Sequence, residues 1–365
     1  MATKNRYELR SDYAVHPGEV LGERLAAYGM SQTELADRMG MSTKTLSLII
    51  NGKAPVTPET AVQLERVLGV SARLWTGLDT NHRLWQVRKQ AAAQLESLQE
   101  WVRQFPYTDM AKRGLVTDTR DTAERADSLL RFFGVGSVAS WHRQYEQLEV
   151  AFRRSQSFKS SFAATTAWLR LGELRAREMD CSPFEERAVT RTLVEARRMT
   201  REAIDEEHVR TLQDLCCDCG IALVFAAGFK GTHVSGAAQW LKADKAMLAL
   251  SLRHKTNDHF WFSFYHEAGH ILHDSKKQVY VDDSNGSLDC AAEERADRFA
   301  CDTLIPPRAY RSFIYAWDGS GERIEEFAEQ VGVGPGIVVG RLQHEGRLSF
   351  NRFNDLKEKV AFTDR

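Results

Sequence analysis

Residues 260–273 read FWFSFYHEAGHILH, and this stretch decides how the last third of the chain folds. His266 and His270 are four residues apart, so on a helix both imidazoles lie on one face, one turn from each other. Two such imidazoles can reach one metal ion, and Glu267 can then face a water beside it. Apolar residues flank the motif on both sides, as expected of a buried helix that carries a site. A surface helix with two solvated histidines is the alternative.

A third ligand candidate is Glu293, which stands 23 residues after His270. A carboxylate on a second helix is the usual third ligand of this zinc geometry. Asp297 follows one helical turn later, where it can accept a hydrogen bond from a ligand histidine and fix its tautomer. Glu294 competes as a ligand, but Glu293 and Asp297 share one helix face. We therefore predict one zinc ion per chain, held by His266, His270 and Glu293, with a fourth position open to water.

The predicted chemistry follows from that ligand set. A catalytic zinc lowers the pKa of its water toward about 7, and Glu267 can take the proton as the water attacks a peptide carbonyl. Glu267 can later deliver this proton to the leaving amine. The oxyanion needs a donor beside the zinc, and Tyr280 in the run QVYVDD is a candidate. A tyrosine in a short strand more often serves packing.

Composition sets the broad class of the protein. A chain of 365 residues suggests two or three domains, and its net charge of -1 argues neither for nor against nucleic acid. The first residues are polar, unlike a signal peptide, and no run approaches the roughly 18 apolar residues of a membrane span. We therefore expect a cytoplasmic protein with no membrane partner. The six cysteines fit a reducing compartment, and we interpret the cluster Cys216, Cys217 and Cys219 as core packing.

The periodicity predicts a multidomain protein that is mainly α-helical with a small α+β part. Residues 1–81 form an all-α unit, and residues 82–200 form a helical connecting region. The hydrophobic period changes at residues 220–226 and 246–252, which we predict to be strands. Residues 201–365 therefore form the domain that contains the predicted zinc site.

The segment from Gln32 to Asn51 has helix-turn-helix proportions, with a short turn at Gly40 and a second helix of polar face. Such side chains can bond base edges and phosphates. Residues 1–80 hold nine basic and nine acidic residues, so little positive charge is available for phosphate binding. The alternative is a helical module that contacts another protein. The candidate DNA-contacting residues are Gln32, Ser42, Thr43, Lys44, Ser47, Asn51 and Lys53.

Both parts of the chain resemble known families. The motifs at residues 16–19 (HPGE), 51–53 (NGK) and 74–75 (LW) resemble the XRE-type helix-turn-helix, in particular its HigA-like antitoxin branch. The motif at 266–270 and the run Glu293-x-x-x-Asp297-x-Phe299-Ala300, followed by Leu304-Ile305-Pro306, resemble the ImmA/IrrE family of zinc metallopeptidases. The second resemblance implies a zincin-like carboxy-terminal domain.

The two resemblances together imply a zinc-dependent endopeptidase that cuts a regulatory protein, such as a helix-turn-helix repressor, in a stress or phage response. The first module would bind operator DNA, for targeting or autoregulation, and a palindromic operator would call for a homodimer. Two alternatives belong to other classes. One is a transcription regulator or antitoxin whose metallopeptidase fold only senses a signal. The other is a toxin-like protease that a partner holds in check.

One internal similarity stands out. Residues 326–333 (EFAEQVGV) resemble residues 34–41 (ELADRMGM), and both predict a helix, a glycine turn and a second helix. The later copy lacks polar residues at the positions that would face a groove. We therefore predict that it is a packing element of the metal-binding domain and does not read DNA.

Overall fold

The computed structural model describes residues 13–146, 148, 161–251, 253, 255–276, 278–283 and 290–361. The chain divides into two compact units, one up to residue 99 with residues 122–124, the other comprising residues 100–121 and 125 onward. The first twelve residues and residue 252 of the second predicted strand lie outside the described part. Within that part, no helix is long and apolar enough to cross a membrane. Domain boundaries at residues 81 and 200 stay a prediction.

The amino-terminal unit is a helical bundle. Polar caps set its helix starts: the Ser31 hydroxyl accepts from the Glu34 amide and the Ser42 hydroxyl from the Thr45 amide. Its core includes the fully buried Trp75, which explains the Leu-Trp motif. The described helices are α1 (Pro17–Tyr28), α2 (Gln32–Met39), α3 (Thr43–Ile50), α4 (Pro58–Leu68) and α5 (Ala72–Glu96).

The middle of the chain is helical, as the periodicity predicts. Apolar stripes on these helices face inward, and α10 is buried over most of its length because it packs against the sheet. The helices are α6 (Gln99–Arg103), α7 (Tyr107–Lys112), α8 (Thr122–Phe133), α9 (Val138–Gln144), α10 (Phe162–Glu178), α11 (Glu186–Met199) and α12 (Glu206–Asp218).

A four-stranded sheet in the order β1-β3-β2-β4 forms the centre of the second unit. The strands are β1 (Ile221–Phe225), β2 (Val234–Lys242), β3 (Lys245–Leu250) and β4 (Val279–Asp283). β1 pairs parallel with β3, and β2 pairs antiparallel with both β3 and β4. Every residue of β1 and β3 is buried because helices cover both faces of these strands. The predicted small sheet is thus confirmed.

Among the described residues, six further helical segments follow β3, and the first of them lies between β3 and β4. The helix α13 packs against β2, α14 and α17, so it lies between the sheet and the last helices. This mainly α-helical architecture with a small mixed sheet confirms the predicted fold class. The segments are α13 (Asn257–His273), α14 (Cys290–Leu304), α15 (Pro307–Ala316), α16 (Gly321–Val331), α17 (Pro335–His344) and a 3-10 turn (Asn354–Leu356).

The cysteine cluster corrects one sequence prediction. Cys216 and Cys219 are buried in the core, as predicted. Cys217, however, forms a disulfide with Cys181, which lies in the connection between α10 and α11. The sequence prediction of core packing for Cys217 is wrong because α12 turns this side chain away from the core and toward that connection.

Candidate metal centre

Three side chains from two helices converge in the second unit. The His266 Nε2 atom lies 3.0 Å from a Glu293 oxygen and 3.1 Å from the His270 Nε2 atom. The other Glu293 oxygen lies 3.7 Å from His270 Nε2. All three ligand atoms fall within 4.8 Å of one another. The competing candidate, Glu294, is exposed on the neighbouring position of α14.

The close approach of α13 and α14 brings these residues together. Gly269 lies between the two histidines, and a Cβ atom there would meet the Ala296 Cα atom at 3.2 Å and the Phe299 ring at 3.1 Å. A larger residue would therefore push α14 away from α13. The glycine of the HEAGH motif thus allows Glu293 to reach the imidazole pair.

Each imidazole is oriented by an aspartate on its other nitrogen. His266 Nδ1 donates to Asp297 at 2.9 Å, which is the contact that the sequence predicts. His270 Nδ1 donates to Asp274 at 2.7 Å, and Asp274 also accepts from Arg295. Such bonds fix the tautomer and leave both Nε2 atoms for a metal. Sequence analysis missed Asp274, although its spacing of four residues after His270 was a usable signal.

The candidate ligands His266, His270 and Glu293, here called the triad, carry opposite charges that stabilise each other. Burial lowers the pKa of His266, but hydrogen bonds to Asp297 and Glu293 outweigh it and raise this pKa to about 11. Burial alone would raise the pKa of Glu293, but hydrogen bonds from His266 and His270 lower it to about 2. The metal-free site is thus an imidazolium–carboxylate cluster. Once His266 loses its proton, two imidazole nitrogens and a carboxylate oxygen form a donor set that suits zinc.

Glu267 is fully buried, and neither of its carboxylate oxygens has a hydrogen-bond partner among the described residues. Burial raises its pKa to about 8, although the nearby His266 and His270 act to lower it. An orphaned buried carboxylate is costly unless something outside the chain satisfies it. A cation at the triad and a water beside it fit this requirement.

The sheet leaves room for that carboxylate at one position. Gly236 lies on β2, and a Cβ atom there would stand 2.5 Å from a Glu267 oxygen and 2.8 Å from its Cγ atom. Because real Cβ atoms do not approach so closely, any side chain at this position would displace Glu267. Nothing in the sequence pattern of β2 indicated this role.

Tyr280 contacts the site through its ring. The ring stacks on His270 with 4.4 Å between centroids, and the hydroxyl donates to Gln278 and accepts from the Ser275 amide. These contacts place Tyr280 as packing support for His270, and its role as an oxyanion donor stays a prediction.

Asp282 is a further acidic residue near the triad that sequence analysis missed. It lies on β4, is bonded by Ser235, and burial raises the pKa of its carboxyl. It pairs with Gly236 of β2, the residue that faces Glu267. Only the pairing of β4 with β2 brings this residue to the site, so local spacing could not reveal it.

The predicted DNA-contacting residues lie along α2, α3 and the turn after α3. Gln32, Thr43, Lys44 and Lys53 are exposed, and Ser47 is half-buried. Two of the residues also make local bonds: the Ser42 hydroxyl caps α3, and the Asn51 amide donates to the Ser47 carbonyl at 2.7 Å. The outer face of α3 is thus polar and accessible in this unit.

Two protein families match this chain. Residues 21–75 match the helix-turn-helix family, and residues 220–343 match the family of IrrE N-terminal-like peptidase domains. The first match contains α2 and α3. The second contains the sheet, both metal-site helices and most of α17. Both matches agree with the resemblances that the sequence motifs carry.

Among curated proteins, the chain is 34% identical over 73 residues to the uncharacterised HTH-type transcriptional regulator YddM of Escherichia coli, covering 20% of this chain and 78% of that protein. It is 33% identical over 72 residues to virulence-associated protein I of Dichelobacter nodosus, covering 20% and 67%. Among solved structures, it is 27% identical to the Pseudomonas aeruginosa antitoxin HigA, covering 23% and 94% with a TM-score of 0.22.

Proposed function

Because this chain belongs to the helix-turn-helix family and joins such a domain to an IrrE-like peptidase domain, we propose that it is a zinc-dependent endopeptidase. Its substrate is a regulatory protein, for which a helix-turn-helix repressor is the best candidate. Cleavage of a repressor would switch genes on irreversibly in a stress or phage response.

One observation carries the proposal: Glu267, which is buried and has no hydrogen-bond partner among the described residues, lies beside His266, His270 and Glu293, whose ligand atoms converge. A purely structural metal site needs four protein ligands and no free carboxylate next to them. Three ligands and an adjacent base instead fit a site that keeps one position for a reacting molecule.

The residues have separate roles in this reaction. When bound, zinc supplies Lewis acidity that acidifies water and polarises a peptide carbonyl. Glu267 takes the proton from the attacking water and later gives it to the leaving amine. A cation at the triad would lower the pKa of Glu267 from its metal-free value of about 8, so that the carboxyl would be ionised as the base. Asp297 and Asp274 hold the two imidazoles in place.

The test compares zinc-loaded wild type with the variant Glu267→Gln on a library of bacterial peptides with blocked amino termini. We expect new amino termini in the wild-type digest and a loss of at least about 100-fold in cleavage rate in the variant, because the base is removed. Glu294→Gln, an exposed neighbour of a ligand, is the matched control and should cleave normally. If wild type and Glu267→Gln behave alike, the chain is a sensor and no protease.

The amino-terminal module is proposed to bind operator DNA as a homodimer, for targeting or autoregulation. The exposed polar face of α3 and the helix-turn-helix family match support this role. Lys44→Ala should weaken binding to the promoter of the protein's own gene. The slope of the logarithm of the binding constant against the logarithm of the salt concentration should also become shallower, by the amount that corresponds to about one phosphate contact. Arg24→Ala, on the exposed side of α1, is the control. Fluorescence anisotropy over a salt series measures both, and equal slopes for both variants would contradict the assignment.

A further inference from the structure

A disulfide ties an irregular connection to the end of a helix in the second unit. Cys181 lies between α10 and α11, and Cys217 lies on the last turn of α12. Both residues are half-buried, so part of each cysteine faces solvent, from which a thiolate can attack. A thiol reductant can therefore reach this bond in the folded protein. The other cysteines are free thiols: Cys216, Cys219, Cys290 and Cys301.

The connection has little else to hold it in place. Residues 179–185, all of which the structure describes, have no regular secondary structure, and none of them is fully buried. Segments with few buried contacts open locally at a low cost in free energy. The disulfide is therefore a main restraint on this connection. Its hydrogen bonds run from Ser182 to Cys217, from Phe184 to Asp244, from Glu185 to Cys219 and from Lys245 to Met179.

The connection contacts the sheet through the ring of Phe184. The centroid of this ring lies 4.7 Å from that of Trp240 on β2. The Lys276 ammonium stands 3.7 Å from the centroid of the Trp240 ring and 5.4 Å from that of Phe184. It also donates to the Ala243 carbonyl at 3.3 Å. Both rings and the turn between β2 and β3 therefore hold Lys276.

Lys276 belongs to the segment that follows the metal-site helix α13. Two residues earlier, Asp274 accepts a hydrogen bond from His270 Nδ1 at 2.7 Å. The Ser275 amide donates to the Tyr280 hydroxyl at 3.3 Å, and the Tyr280 ring stacks on His270. This segment therefore joins the aromatic contacts of Lys276 to the groups that orient a candidate zinc ligand.

We propose that the Cys181–Cys217 disulfide is a redox site through which a dithiol reductant weakens zinc binding at the triad. While the connection is tied to α12, the Phe184 ring keeps its position and Lys276 supports the segment that orients His270. Opening the disulfide releases the connection, so this support is lost and the imidazole is oriented less firmly. The inference rests on the proposed zinc site but not on peptide cleavage.

The reaction is thiol–disulfide exchange. One thiolate of the dithiol attacks a sulfur of the disulfide, the S–S bond breaks, and the displaced cysteine leaves as a thiolate that takes up a proton. The second thiol of the reductant, as its thiolate, then displaces the other cysteine from the mixed disulfide. Two electrons pass to the protein, so both cysteines are reduced and the dithiol becomes a disulfide. An oxidised dithiol reverses the reaction.

The test compares the zinc affinity of the full-length protein with the disulfide intact and after reduction by dithiothreitol, which is removed under nitrogen before zinc is added. Competition with a fluorescent chelator should give an affinity about tenfold lower for the reduced protein, because His270 is oriented less firmly. The double variant Cys181→Ser/Cys217→Ser has no bond to open and should show the lowered affinity before and after treatment. Cys290→Ser, which removes an exposed free thiol, is the matched control and should respond like wild type.

Hydrogen exchange measures the same effect without metal. In the metal-free protein, peptides that cover residues 278–283 should exchange at least about fivefold faster after reduction, while peptides from α15 should keep their rate. Equal acceleration in both regions would mean a general loosening of the fold and would overturn the assignment. A lower melting temperature with unchanged zinc affinity would also overturn it, because the disulfide would then serve stability alone.

The outcome is separable from that of the proposed function. Zinc affinity that depends on the disulfide, in a protein that cleaves no peptide, would keep the redox site and reject the protease. Peptide cleavage with equal zinc affinities in both redox states would keep the protease and reject the redox site. Absence of zinc binding by the oxidised protein would reject both.

Discussion

The helix pairs α2–α3 and α16–α17 have similar sequences and different uses. In each pair the first helix ends at a glycine in the left-handed conformation, Gly40 with φ of 66° and Gly332 with φ of 73°. Each second helix starts three residues after this glycine. Both pairs therefore have the same local architecture, as the similarity of residues 34–41 and 326–333 predicts.

The second helices differ in what surrounds them. α3 keeps Thr43 and Lys44 exposed, whereas α17 buries Val338, Val339 and Leu342 against its neighbours, including α13. Helix boundaries thus follow from glycines and caps, while side-chain composition decides between an accessible polar face and a support beneath the metal centre. The expected effects of substitutions should differ accordingly.

The largest expected effect is that of Val338→Asp in α17. Val338 is fully buried, and an unpaired carboxylate there should lower the free energy of unfolding by about 3 kcal/mol or more. Thr43→Asp, on the exposed face of α3, should change it by no more than about 0.5 kcal/mol. Chemical denaturation followed by circular dichroism measures both. Similar losses for the two variants would remove the contrast between the helix pairs.

The next largest effect concerns the helix that α17 supports. Asp274→Asn should weaken zinc binding about 10- to 100-fold, because a weaker acceptor orients His270 less firmly. Asp297→Asn should cost less, since the Asp297 side chain is 46% exposed and that of Asp274 only 1%. Competition with a fluorescent chelator gives both affinities. A larger loss for Asp297→Asn would reverse the assigned ranking.

Zinc binding should also depend on pH. The pKa of His266 is about 11 in the fold, so protonated His266 stabilises the metal-free protein. This contribution is complete below about pH 6.5 and is lost as the pH rises toward 11. The pKa of Glu293 is about 2 in the fold, so ionised Glu293 also stabilises the metal-free protein. This contribution is present above about pH 4.5 and is lost as the pH falls through 2. Near pH 7 zinc must therefore displace a proton from His266.

Zinc affinity should consequently rise about tenfold per pH unit between pH 6.5 and 9, while the metal-free protein loses stability over the same window. Calorimetry in buffers of different ionisation enthalpy counts the released protons. Binding without proton release at pH 7 would show that His266 is already neutral there.

The smallest effects concern the helix starts. Ser42→Ala removes the side-chain cap of α3 and should cost about 1 kcal/mol. Gly334 occupies the same position before α17, and serine is normally a good cap. A Cβ atom at Gly334, however, would stand 2.4 Å from the Thr200 carbonyl oxygen. Gly334→Ser should therefore destabilise by about 1–3 kcal/mol, and a stabilised Gly334→Ser protein in thermal unfolding would contradict this.

Features with local causes were predictable from the sequence. The spacing of His266 and His270, and that of Glu293 and Asp297, reflects the turn of a helix, so the structure places these residues as the periodicity predicts. The capping serines and glycines similarly set the helices of the first unit. Asp274 obeys the same spacing rule and could have been included.

Features that depend on tertiary pairing were not predictable. Asp282 reaches the site only because β4 pairs with β2, and the Cys181–Cys217 disulfide joins residues 36 positions apart. A single sequence contains no local signal for either contact. The sequence predicts Tyr280 in a short strand near the site. The direction of its hydroxyl, however, depends on hydrogen bonds with Gln278 and Ser275, which the sequence does not reveal.

The absence of a side chain at Gly236 has a genetic consequence. An alanine codon there adds one methyl group against Glu267, yet leaves His266, His270 and Glu293 unchanged. Surveys that infer activity from an intact HEAGH motif would score such an allele as functional. Natural variants of this protein should therefore be classified by residue 236 as well as by the motif, because a substitution on the sheet would displace Glu267, the proposed base, while the three candidate metal ligands stay unchanged.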